Sequence, residues 1–210
     1  MSGAGRDDCV TGAVIAGGAS SRFGSAKALA EVGGVRVVDR VRRALRAAVG
    51  DEIVAIVNDP DLGRRIGLPH RPDVIVRAGA LAGVHAALLW ARERGCAGIL
   101  AAGCDMPFLP AALLLELSAR ASGHDIVIPA SEGPRGVEPL CAFYGIDCIA
   151  PIEEAVARGD ARMIGFHAHV RVHRLPIHVV RRFGDPAIMF MNMNTEADRA
   201  AADRIAREAT

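Results

Sequence analysis

Short apolar runs, each too brief for a helix, alternate with helical patterns through the first two-thirds of this chain, and that alternation narrows the fold more than any other feature. The runs cover residues 11–16, 52–57, 73–76, 98–102 and 125–129, and each is predicted to be a strand. After the first, Val38, Val41, Leu45 and Val49 recur at helical spacing while Arg40, Arg42, Arg43 and Arg46 take the other face. Val84, Leu88 and Leu89 open a second helix after Gly83. Pro110 starts a third that runs through Leu113 and Leu117 towards Gly123, with proline at its first position and glycine past its end. Strands nearly continuous in apolar residues and separated by helices imply an α/β fold, a mostly parallel sheet with helices on both faces. Ligands bind such sheets beyond the carboxyl ends of the strands. That directs attention to residues 16–27, 58–61, 78–83 and 103–108.

The last third is less regular. Residues 140–145 read as a strand, 151–158 as a short helix, 170–175 and 188–191 as strands, and 195–208 as a terminal helix opened by a Thr195/Asp198 capping box. Met189, Met191 and Met193 alternate as one face of a strand and are assigned to the core. No repeat, low-complexity tract or long linker interrupts the 210 residues, which read as one domain. An apolar fraction of 51% with 23% charged residues excludes wholesale disorder. A net charge of +1, with both signs interspersed, supplies no field that would draw nucleic acid or an anionic membrane, and neither is expected as a partner. The N-terminal MSGAGRDDC has the pattern of neither a signal peptide nor a membrane span. Five cysteines without a C-x-x-C pair argue against a disulfide framework or a zinc ribbon, so a reducing cytoplasm is the expected setting.

Directly after the first strand comes AGGASSRFGSAKAL, which holds the one lysine among 25 basic residues. Gly17, Gly18 and Ser20 are small enough for successive backbone N–H groups to point inward as an anion-binding nest. The spacing is neither GxxxxGK[ST] nor G-x-G-x-x-G, so a dinucleotide cofactor is disfavoured. Where arginine has replaced lysine everywhere else, the survival of Lys27 suggests a site that needs a compact ammonium among phosphate oxygens. Asp105, in CDMPF, falls at the end of another strand and should emerge on the same sheet edge. A carboxylate beside a polyphosphate is the usual way to hold Mg²⁺. The H-A-H-x-x-x-H of His167, His169 and His173 invites a metal, but His173 is out of step in the strand expected there, and no metal is assigned to it. Arg181 and Arg182 beside His178 read as a solvated face.

These motifs resemble those of the molybdenum cofactor guanylyltransferases, within the wider nucleotidyltransferase group. IAGGASSRFGSAKAL is similar to LAGGxSxRMGxxK, GALAG to GPLAG, CDMPFLP to CDxPFLP, EPLCAFY to an HPL-type strand, and MNMNT to FxNxNT. The likeness spans nearly the whole chain in the right order. Ala80 replaces the expected proline, Glu138 a frequent histidine, and Ala26 a frequent acidic residue.

The resemblance implies a three-layer Rossmann-like nucleotidyltransferase fold, with residues 1–110 as the nucleotide-binding part and 125–210 as the acceptor-binding part. It implies transfer of GMP from GTP to the terminal phosphate of molybdopterin, with Mg²⁺ as cofactor and molybdopterin-delivering and molybdoenzyme-maturation proteins as further partners. Backbone groups of Ile15, Ala16, Gly17, Gly18 and Ser20 would cradle the triphosphate, Arg22 would contact the departing pyrophosphate, and Lys27 would offset charge at the reacting phosphorus. Asp105 would hold the metal. Asn58, Asp73, Leu81 and Gly83 would line the nucleoside pocket, with Asp73 accepting from the guanine N1 and N2 donors. Asn192 and Asn194 would face the metal or the pterin phosphate, or serve only to cap the last helix. Cytidylyl transfer, another phosphorylated acceptor, and a non-catalytic nucleotide-binding role on the same fold are the alternatives.

Overall fold

The structure, a computed structural model, describes residues 9–16 and 28–208. Among them, a seven-stranded sheet runs in the order β5-β4-β1-β6-β8-β7-β9. Its strands are β1 (Val10–Ile15), β4 (Ile53–Ile56), β5 (His70–Arg71), β6 (Gly98–Gly103), β7 (Ile126–Pro129), β8 (Cys141–Gly145) and β9 (Val172–Leu175), while β2 (Glu31–Val32) and β3 (Val35–Arg36) form a separate hairpin. β1 is central, paired in parallel with β4 from Gly12 opposite Ile53 and with β6 from Val10 opposite Gly98. Among the described strands only β8 runs against the rest of the sheet, pairing antiparallel with both β6 and β7.

Side chains alternate between two packed layers because successive strand residues point to opposite faces. Val14, Ala55, Leu100 and Val127 turn towards α1 (Val37–Val49), α2 (Pro60–Ile66) and α4 (Ala111–Ala119). Ala13, Ile15, Val54, Ile56, Ile99 and Ala101 turn the other way, towards α3 (Gly79–Glu93) and α5 (Ile149–Ala157). The result is the three-layer, mostly parallel α/β arrangement expected. α1 buries Val38, Val41 and Leu45 and leaves Arg43 and Arg46 exposed, following the sequence pattern. The chain closes with α6 (Ile177–Val180), α7 (Pro186–Met189) and α8 (Glu196–Glu208). At the start of α8 the Asp198 N–H donates to Thr195 Oγ1 at 3.1 Å while the Thr195 N–H donates to an Asp198 carboxylate oxygen at 2.8 Å, the reciprocal capping box.

The structure differs from five expectations. Residues 73–76 are not a strand: the edge strand is the two-residue β5, Pro72 follows it at once, and Val74 and Val76 end up 53% and 81% exposed. Residues 188–191 are not a strand either. Asp185 accepts from the Ala187 N–H at 2.9 Å and Pro186 occupies the first turn, so local capping starts a short helix, although Met189 and Met193 are buried as expected. α3 begins at Gly79 rather than after Gly83, and Pro110 is the cap of α4, which ends before Gly123. Finally, Cys9 and Cys96 form a disulfide. They precede β1 and β6, and the parallel pairing of those strands brings them together, with the Ala97 N–H donating to the Cys9 carbonyl at 2.8 Å. Neither cysteine count nor spacing reports a neighbour made by sheet pairing.

Candidate functional site

The carboxyl edge of the sheet gathers the ends of β1, β4 and β6. The Ala16 N–H donates to the Ile56 carbonyl at 2.9 Å and the Cys104 N–H to the Ile15 carbonyl at 3.1 Å, so all three strand ends are locked side by side. Residues 17–27, with Gly17, Gly18, Ser20, Arg22 and Lys27, lie outside the described residues.

Just past β4, Asn58 and Asp73 are joined reciprocally: Asn58 Nδ2 donates to Asp73 Oδ2 at 2.8 Å, and the Asp73 N–H donates to Asn58 Oδ1 at 2.8 Å. Two residues fifteen apart in sequence thus become one rigid unit. Burial pushes the Asp73 carboxyl above the usual carboxylate range, and the Asn58 bond only partly opposes it. The other oxygen, Oδ1, is buried with no hydrogen-bond partner among the described residues, an arrangement that costs stability.

Gly83 explains how α3 comes so near. A Cβ there would lie 2.8 Å from Ile15 Cγ2 and 3.7 Å from Asp73 Oδ1, so only glycine lets this turn of the helix approach the end of β1. Leu81 and the Ile15 side chain are buried in the core beneath the site, and any contact they make with a ligand is through their backbone. The N-terminal turn of α3, with Gly79 and Ala80, opens instead onto a cleft of about 810 Å³ lined also by Asn58, Asp73, Arg77, Arg135, Arg162, Met163 and Ile164. That volume accommodates a nucleotide-sized ligand, and a helix N-terminus favours anionic groups. Arg77 holds a left-handed backbone, φ 65°, on the rim.

Asp105 sits in the turn after β6, its carboxylate folded back so closely that a Cβ on Gly103 would lie 3.0 Å from Oδ1. Its backbone carbonyl accepts from the Met193 N–H at 3.0 Å, which docks the segment between α7 and α8 against it. Asn192 and Asn194 therefore flank the residue bonded to Asp105. The Asn192 amide also donates to the Phe190 carbonyl at 3.2 Å, and the Asn194 N–H donates to Asp198 at 2.9 Å, so both take part in local turn and cap bonds as well.

Glu138 stands just before β8, at the same edge. Burial pushes its carboxyl up, the Leu140 N–H and the Arg135 charge oppose this, and the charge of Asp105 adds to it. It lines a second cleft of about 360 Å³, with Ser131, Arg135, Pro186, Phe190 and Asn192 on its walls. Sequence reasoning missed Arg77 and Arg135 because arginine is too common in this chain to stand out. Glu138 was visible only as a departure from a motif.

The histidines lie elsewhere. His167 and His169 are in a single 3₁₀ turn and His173 is in β9, so the strand expected to carry all three does not exist. Burial, with Arg174 nearby, pushes His167 down to about 4. Among the described residues, no three His, Cys, Asp or Glu side chains come together as a ready-made metal cage.

The chain is 34% identical over 192 residues to the probable molybdenum cofactor guanylyltransferase of Pelotomaculum thermopropionicum, covering 91% of each chain. It is 32% identical over 200 residues to the molybdenum cofactor guanylyltransferase of Desulfosudis oleivorans, covering 93% of this chain and 95% of that one. In fold it is similar to the molybdopterin-guanine dinucleotide biosynthesis protein A of Archaeoglobus fulgidus, with a TM-score of 0.77 at 24% identity over 95% of this chain and 100% of that one. Residues 12–172 match the model of one family, and the chain belongs to it: the MobA-like NTP transferase domain family.

Proposed function

We propose that this protein transfers GMP from GTP to the terminal phosphate of molybdopterin. An acceptor phosphate oxygen attacks the α-phosphorus, a P–O bond forms, and the bond to the β-phosphate breaks with its electron pair leaving on pyrophosphate. No general base is needed, since a phosphate monoester is already ionised near neutral pH. The observation that carries the reading is the Asn58–Asp73 unit facing the nucleotide-sized cleft with one buried, unpartnered carboxylate oxygen. Guanine presents adjacent N1 and N2 donors to such a carboxylate, whereas the pairing edge of cytosine presents one donor and two acceptors. A carboxylate matches that pair of donors and not the cytosine edge, so Asp73 on the cleft wall supports GTP over CTP, in keeping with the names its relatives bear.

Within this reading, backbone groups at residues 15–18 and Ser20 hold the triphosphate, and Lys27 and Arg22 supply cationic charge to the α-phosphate and the pyrophosphate. Catalysis is alignment and charge compensation rather than covalent help. The donor set at Asp105 is hard oxygen, a carboxylate with the amide-bearing Asn192 and Asn194 close by in the fold, and suits Mg²⁺ completed by water and phosphate oxygens. When bound there, the ion would neutralise phosphate charge. Proteins that deliver molybdopterin and accept the finished cofactor complete the expected partners. A cytoplasmic setting remains part of the proposal, although the Cys9–Cys96 bridge takes away the cysteine argument for it. No helix among the described residues is long and apolar enough to cross a membrane.

Purified protein incubated with Mg²⁺, molybdopterin and either GTP or CTP should release pyrophosphate with GTP. Release with CTP alone would overturn the choice of base, and release with neither would overturn the transfer reading.

A further inference from the structure

Among the described residues, the two clefts at the carboxyl edge share one residue. Arg135 lines the larger one, beside Asp73 and the N-terminus of α3, and also the smaller one, beside Glu138, Phe190 and Asn192. It is carried on a turn whose ends are fixed. Ala130 and Val137 form a bridge, the Ser131 N–H donates to the Gly136 carbonyl at 3.1 Å, and the Gly136 N–H returns to the Gly133 carbonyl at 2.9 Å. The backbone of Arg135 is thus held at the boundary while its side chain remains exposed.

Two neighbouring arginines are committed elsewhere, and Arg77 lines the larger cleft but not the smaller one. Arg162, on the wall of the larger cleft, is bonded to Asp160 at 2.7 Å, and Arg181 pairs with Glu132 of the same turn. Arg135 makes no ion pair within 4 Å among the described residues, although its charge reaches Glu138, which in turn feels Asp105. A guanidinium placed between two clefts, without an ion pair among the described residues, is available to anions on both sides.

The transfer reaction needs a group of that kind. Two anionic phosphates, one from each substrate, must meet in line, and the repulsion between them is greatest where the clefts join. A planar guanidinium with five N–H donors can bond an oxygen of each at once. We propose that Arg135 is a catalytic residue of the transfer, its guanidinium spanning the acceptor phosphate in the smaller cleft and the α-phosphate of the nucleotide in the larger one. The acceptor then sits in the cleft of Glu138, Phe190 and Asn192. In the step it assists, the acceptor oxygen bonds to the α-phosphorus and pyrophosphate departs with the electron pair of the broken bond. Arg135 keeps all its protons and only offsets charge. This rests on the guanylyl-transfer reading above.

The test uses the full chain and three variants. Arg135→Ala should lower kcat/KM for molybdopterin roughly 100-fold, while GTP affinity, measured calorimetrically with Mg²⁺ and no acceptor, changes less than about threefold. Arg135→Lys, which keeps the charge and loses the fork, should recover part of the loss. Arg181→Ala, which disturbs the same turn through its pair with Glu132, should turn over as the wild type does. The proposal is overturned if Arg135→Ala retains wild-type kcat/KM, if its loss is matched in full by weaker GTP binding, or if Arg181→Ala loses as much. If the wild type itself releases no pyrophosphate from GTP with molybdopterin, the transfer reading falls and this role falls with it. Wild-type turnover with an unaffected Arg135→Ala removes the role alone.

Discussion

Asp125, just before β7 at the amino edge of the sheet, and Asp73, just after β5 at the carboxyl edge, are pushed in opposite directions by their surroundings. Asp125 accepts from the Arg171 backbone N–H at 2.7 Å and from its guanidinium at 2.6 and 3.1 Å. Those bonds, the side-chain ones foremost, hold its carboxyl below the usual range despite burial. Asp73 has one amide partner and an unpartnered buried oxygen, and burial prevails. At the amino edge the sheet is tied by this bidentate pair and by the disulfide, whereas at the carboxyl edge one Asp73 oxygen is buried without a hydrogen-bond partner among the described residues. A buried carboxylate oxygen without a partner costs stability, and on the reading proposed above the return is recognition of the nucleotide base.

The sharpest way to test that contrast is to remove Asp105. Asp105→Ala should reduce kcat by roughly 10³-fold with little change in the thermal midpoint; a variant that unfolds early but still turns over would place Asp105 among the structural residues instead. At the opposite edge, reducing the Cys9–Cys96 bridge, which closes a separation of 87 residues, should lower stability by about 2–4 kcal/mol. Alkylation and mass measurement before and after reduction would establish the bridge, and unfolding in denaturant with and without reductant would measure its effect, with GTP affinity unchanged.

Asp125→Ala should cost about 2 kcal/mol, since it strands the Arg171 N–H and breaks a bidentate pair, and kcat/KM should stay at the wild-type value. The depressed carboxyl also sets a pH window. Its stabilisation is fully present above the carboxylate pKa of the unfolded chain, about 3.9, and is lost as pH falls through the lower folded value. Acid unfolding of the wild type should be steeper than that of the variant.

Asp73→Asn should be smallest in stability and opposite in kind. For a carboxyl raised on folding, stability declines as pH rises through the folded pKa, so at neutral pH the unliganded variant should be no less stable than the wild type. Its GTP affinity should fall roughly 30-fold. Wild-type GTP binding should weaken as pH drops through the raised Asp73 pKa, while the variant shows no such step. Calorimetric titrations at several pH values read both effects, and parallel profiles would remove Asp73 from base recognition.

Much of the fold was legible beforehand because its signals are local. β1, β4, β6 and β7 announced themselves as short apolar runs, α1 by its 3.6-residue period, and the start of α8 by its capping box. Residues 73–76 misled because an apolar run reports burial only if a neighbouring strand exists, and this one lies past the sheet edge. Residues 188–191 misled because alternation was weaker than the Asp185-Pro186 start of a helix. At the site, Asn58, Asp73 and Asp105 could be named from motifs, but the Asn58–Asp73 bond could not. Arg135 carried no signal at all.

By itself the sequence determined the alternation of strands and helices, the edge of the sheet where chemistry would collect, and the residue types able to hold a phosphate and a cation. These follow from periodicity and from side-chain chemistry, which act over a few residues. Only the tertiary structure decided that Cys9 meets Cys96, that Gly83 opens room beside Ile15 and Asp73, and that Arg135 stands between two clefts. Such neighbours are made by strand pairing and close packing across tens of residues, where no short-range pattern in the chain records the distance.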